Sequence, residues 1–84
     1  MFIHLLLYRS LTRAQRASAA LEKEGVPNRI IRAPKAVSGE GCSQALQLNQ
    51  GYLHRALTVL NSLGIEPRRV FISAGDETYE DVRL

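Results

Sequence analysis

PNRIIRAPKAVSGEGCSQALQL, residues 27–48, holds two short β-patterned runs separated by a loop, and the way those runs join decides the fold. Pro27 opens an extended run from Asn28 to Ala33 in which Ile30 and Ile31 fall on opposite faces, and Pro34 ends it by removing a backbone donor. After the loop from Lys35 to Cys42, Gln44, Leu46 and Leu48 alternate with Ala45 and Gln47 at the period of a strand. Gly51 breaks that strand. A tight hairpin needs only ~2–5 connecting residues, so this loop is longer than strand pairing demands. Surplus loop length is more often functional than structural.

Upstream, residues 2–8 alternate as a strand, with Ile3, Leu5 and Leu7 on one face and Phe2, His4, Leu6 and Tyr8 on the other. Ser10 is placed to cap a helix through Ala14, Ala17, Ala20 and Leu21, which Gly25 ends. Downstream, Leu53, Ala56, Leu57, Leu60 and Leu63 form one apolar stripe of a second helix, terminated by Gly64 and Pro67. Val70, Phe71 and Ile72 supply a fourth strand between Arg69 and Gly75. The order βαββαβ predicts an α+β ferredoxin-like sandwich, with a four-stranded antiparallel sheet and both helices on one face. That domain covers residues 1–75, and residues 76–84 read as an acidic, flexible tail.

With 84 residues the chain suffices for one domain and one modest core, burying somewhat over ~60% of the unfolded surface. The formal charge of +3 is unevenly spread. Ten of the eleven basic and four of the eight acidic side chains lie in residues 1–75, hence +6 there and −3 in the tail. A basic body attracts nucleic acid, anionic metabolites or acidic partners without choosing among them. The apolar run from Phe2 to Leu7 is interrupted by His4 and far shorter than the ~20 residues of a membrane span. No membrane role is expected, and cytoplasmic residence is the default.

Cys42 is the single cysteine, so no internal disulfide framework and no dithiol cycle are open to the chain. It sits in Ser38-Gly39-Glu40-Gly41-Cys42-Ser43, where Ser38, Gly39, Gly41 and Ser43 form the supporting loop. Arg32 and Lys35, shortly upstream, are candidate stabilisers of an anion there. A thiol reacts as its thiolate, which basic neighbours and backbone N–H groups favour. The competing reading is a small buried hydrophobe. His4, His54 and Cys42 fall on a strand, a helix and a loop, so no metal site is expected. The glycines lack the Lys-Ser/Thr and the strand-to-helix context of a phosphate loop.

The face Phe2, His4, Leu6 and Tyr8 reads as an apolar surface left outside the helices, and so as a homodimer contact. RNA binding is the weaker reading of that face, because the strand Gln44–Leu48 carries no aromatic for base stacking. A dimeric binding or regulatory module is therefore the alternative to chemistry at Cys42.

The chain resembles a small bacterial family described as selenium or sulfur carrier-like domains, over roughly residues 3–72. The resemblance rests on Tyr8-Arg9-Ser10, Leu21-Glu22-Lys23-Glu24-Gly25, Ile31-Arg32-Ala33-Pro34, Ser38 followed by Cys42, Ala45-Leu46, and Gly64-Ile65. In that family the cysteine is usually followed by glycine; Ser43 stands there in this chain. The resemblance implies a protein without turnover of its own, holding sulfur or selenium on Cys42 as a persulfide or perselenide. It implies no cofactor beyond that covalent cargo. The implied donor is a cysteine desulfurase or another persulfide-bearing protein.

Overall fold

The chain runs β1 (Ile3–Tyr8), α1 (Leu11–Lys23), β2 (Arg29–Arg32), β3 (Gln44–Asn49), α2 (Leu53–Ser62), β4 (Arg69–Ser73) and β5 (Glu80–Asp81). This is a computed structural model, describing residues 2–38, 42–75 and 78–82. One antiparallel sheet has the order β2-β3-β1-β4-β5. β1 lies at its centre, with Leu6 opposite both Leu46 of β3 and Val70 of β4. The two helices and this sheet make a small α+β architecture.

The sheet has five strands among the described residues, where the sequence predicted four. Glu80 and Asp81 pair with Ile72 and Phe71, and the Val82 N–H donates to the Val70 carbonyl at 2.8 Å. Arg69 holds the added strand through an ion pair with Asp81 and lies 5.3 Å from the centroid of the Phe71 ring. Part of the expected tail is thus the edge of the sheet. Two acidic residues carry no strand pattern of their own, so tertiary pairing decided their conformation.

Both helices are stopped by the same local chemistry, though α1 has a side-chain cap at its start and α2 has none. Ser10 is extended at φ −136°, ψ 153°, and its Oγ accepts the Arg13 N–H at 3.2 Å, which caps α1. Ala14, Ala17, Ser18 and Leu21 then recur on the buried side. At the far end Gly25 takes φ +75°, and the Val26 N–H reaches back to the Leu21 carbonyl at 2.8 Å. In α2, Gly64 takes φ +71°, and the Ile65 N–H reaches the Leu60 carbonyl at 3.0 Å. Each is a left-handed C-terminal stop with an apolar residue tucked under the last turn.

The main core lies between sheet and helices. Leu6, Tyr8, Leu46, Leu48 and Val70 from the strands meet Ala14, Ala17, Leu21, Ala56 and Leu60 from the helices. The alanines let the helices approach the sheet closely. The opposite sheet face carries a second, smaller layer, in which Leu5, Leu7 and Ala45 are covered by Ala33, Val37 and Cys42. Ile3, Ile31, Phe71 and Tyr79 flank that layer, half-buried.

This arrangement overturns the proposed dimer face. Leu6 and Tyr8 are buried against the helices and His4 is 8% exposed, leaving only Phe2 open to solvent. The Leu5 and Leu7 side faces away from the helices instead. Both sides of β1 are apolar, so alternation located two faces without showing which one the helices cover. Among the described residues no helix is long and apolar enough to cross a membrane.

Candidate functional site

Cys42 is positioned by the base of the β2–β3 connection. Arg32 pairs with Gln44 in the ladder, and just beyond it the Ala33 N–H donates to the Ser43 carbonyl at 3.0 Å. Pro34 then turns the chain: its carbonyl accepts from both Val37 N–H and Ser38 N–H at 3.0 Å. That turn drops Val37 onto the sheet beside Cys42. Segment 33–38 is therefore a strap, fastened at its base and held down by one side chain.

The sulfur lies under it. Cys42 is 1% exposed, in the apolar layer with Leu5, Leu7, Ala33, Val37 and Ala45. No described group hydrogen-bonds to its Sγ. Arg32 and Lys35 are exposed, and neither is hydrogen-bonded to it. Ser38 Oγ donates to the Lys35 carbonyl at 3.5 Å within the strap, and Ser43 is exposed. Gly39 and Gly41 lie outside the described residues. The structure thus brings Cys42 together with apolar residues rather than with its candidate polar helpers.

Two titratable groups of the helix-side core have perturbed chemistry. His4 is buried with no partner for Nδ1 among the described residues, and desolvation holds its pKa below the ordinary 6.5. Tyr8 donates from its hydroxyl to the Ile65 carbonyl at 2.6 Å. Burial pushes its pKa up, the Glu66 charge adds to the rise, and Arg13 partly offsets it. Among the described residues no cluster of three His, Cys, Asp or Glu could hold a metal ion.

The sequence reading missed the surroundings of Tyr8. Arg9, Arg13, Glu66, Pro67 and Arg68 line a cleft beside it. Arg9 and Arg13 are close in sequence, but Glu66 and Arg68 arrive from the α2–β4 connection. The Tyr8–Ile65 bond and the bond from Arg68 N–H to the Leu7 carbonyl, 2.9 Å, bring that connection to the end of β1.

A family model described as "Putative Se/S carrier protein-like" matches residues 4–72. The match runs from most of β1 through most of β4, Cys42 and its strap included. No curated protein and no solved structure matches the chain.

Proposed function

The chain belongs to the Se/S carrier protein-like family, and from that premise we propose that it carries a chalcogen atom on Cys42 for a partner protein. The observation that carries this reading is the placement of the single thiol, within the matched span, beneath a short strap fastened to two neighbouring strands. In this reading the ferredoxin-like plan is the strand order β4-β1-β3-β2 with its two helices, and β5 is an addition at one edge.

Loading needs the strap to lift, because a sulfur that is 1% exposed cannot be attacked or attack. Once reached, the Cys42 thiolate attacks the terminal sulfur of a donor persulfide. A new sulfur–sulfur bond forms at Cys42 and the donor's own sulfur–sulfur bond breaks. The donor leaves as a thiolate, and the proton stays on the persulfide now at Cys42. No external oxidant enters. With a single cysteine in the chain, no second thiol can displace that cargo intramolecularly. Reclosure of Val37 and Ala33 over the site shelters the persulfide from small thiols.

Intact mass under nonreducing conditions, after exposure to inorganic polysulfide, tests the reading. Wild type gains the mass of one sulfur atom, and Cys42→Ala gains none. Equal loading of the variant overturns the assignment. Alanine is the better control, since Cys42→Ser leaves a hydroxyl without a partner in an apolar layer, at a cost of about 1–3 kcal/mol.

A further inference from the structure

A cleft of about 440 Å³ opens where β1 passes into α1, lined by Tyr8, Arg9, Arg13, Glu66, Pro67 and Arg68. Its walls are fixed. Tyr8 Oη binds the Ile65 carbonyl at 2.6 Å, and Arg68 N–H binds the Leu7 carbonyl at 2.9 Å, which fastens the α2–β4 connection to the strand end. Arg13 also lines an adjoining hollow with Arg16. Among the described residues, the side chains of Arg9, Arg13 and Arg16 form no ion pair and no hydrogen bond. Three guanidinium groups against the single carboxylate of Glu66 leave a local charge of +2, without counting Arg68.

Such a concentration of like charge disfavours the folded state unless an anion offsets it. Guanidinium presents a planar fork of donors that matches phosphate oxygens in pairs. A phosphomonoester carries a charge of about −1.5 to −2, which matches the surplus, whereas a single carboxylate leaves part of it unbalanced. The cleft volume lies within the ~300–1,000 Å³ typical of small-molecule sites. Tyr8, the aromatic at this spot, is 2% exposed and offers no face for stacking a base. We propose that the Arg9–Arg13 cleft is a binding site for a small phosphomonoester-type dianion, distinct from Cys42 and independent of its cargo.

The test is titration of the isotope-labelled full chain at low ionic strength with inorganic phosphate and with glycerol phosphate, acetate serving as control. Saturable shifts confined to Arg9, Arg13 and their neighbours are expected with both phosphate probes. Arg9→Gln and Arg13→Gln should each weaken binding about tenfold, the loss of one charge-assisted contact. Glu66→Gln should tighten it. Tighter binding of glycerol phosphate than of phosphate identifies a phosphorylated metabolite as the source, and equal binding identifies the free oxyanion; both outcomes support the site. Shifts spread evenly over Arg29, Arg32 and Arg55, unchanged by Arg13→Gln, would overturn it as a diffuse field. So would a short RNA that saturates these residues at concentrations where phosphate does not. Cys42→Ala should titrate like wild type, so this result and the cargo result fail separately.

Discussion

His4 is a buried polar residue on the central strand. Its Nδ1 is buried without a partner among the described residues, so burial favours the neutral ring over the charged one. The folded-state pKa lies below the ordinary 6.5 because burial disfavours the cation. In the unfolded chain the ring binds its proton near 6.5. Above that pH both states hold neutral His4 and its contribution to stability is complete. As pH falls below it, the unfolded state takes up a proton that the folded state binds less readily, and stability declines until the folded pKa is reached. Urea midpoints measured on either side of pH ~6.5 should therefore fall on acidification. His4→Gln should remove that part of the decline, and an unchanged pH profile in the variant would show that other groups set it. The alternation of residues 2–8 placed His4 on the correct side of its strand, with Leu6 and Tyr8. Its burial was not legible, because a strand apolar on both sides does not reveal which side the helices take.

At the scale of elements, the helix stops were the clearest signals in the sequence. Glycine followed by an apolar residue, Gly25-Val26 and Gly64-Ile65, marks a left-handed cap, and the structure has one at each. A Cβ added at either glycine meets nothing within 4 Å. Gly25→Ala and Gly64→Ala therefore test backbone strain alone, and each should cost about 1 kcal/mol in chemical unfolding with the slope unchanged. A much larger loss would mean that a neighbour had been displaced after all. The expected strand at residues 28–33 is observed at Arg29–Arg32, and the expected β3 start at Gln44 matches. β5 escaped detection because Glu80 and Asp81 are poor strand formers, held by the Arg69–Asp81 ion pair and by the ladder to β4. Cys42 was legible as a singular residue, with a small buried hydrophobe as the competing reading, and the structure buries it. Glycines around it suggested an open loop, while of the two residues that cover it Val37 read as an ordinary loop residue and Ala33 as the end of a strand.

For the molecule as a whole, the sheet is sandwiched unequally. Helices cover one face, and the strap with Tyr79 covers the other. β1 pairs on both sides and feeds both layers, so the main core should unfold as one cooperative unit. The strap should open separately, since lifting segment 33–38 leaves every strand paired. Alkylation of Cys42 in the folded protein should accordingly be slow and nearly independent of low urea, because little surface is exposed by a local opening. Amide exchange at Leu6 and Leu46 should instead follow global unfolding. Val37→Ala, which trims the side chain holding the strap down, should speed alkylation while leaving those amides unchanged. If alkylation and core exchange shared one urea dependence, the strap would be part of the global unit.

The bond from Ala33 N–H to the Ser43 carbonyl has one more effect. It closes the strap at its neck, so the distance between the two strand ends is set by the sheet and not by what lies between them. Residues added after Ser38 enlarge the bight without shifting the register of β2 on β3, and each doubling of its length costs only about 0.6 kcal/mol. The chain thus has a natural splice point, where a lengthened or exchanged sequence alters what overlies the thiol while the sheet beneath stays the same.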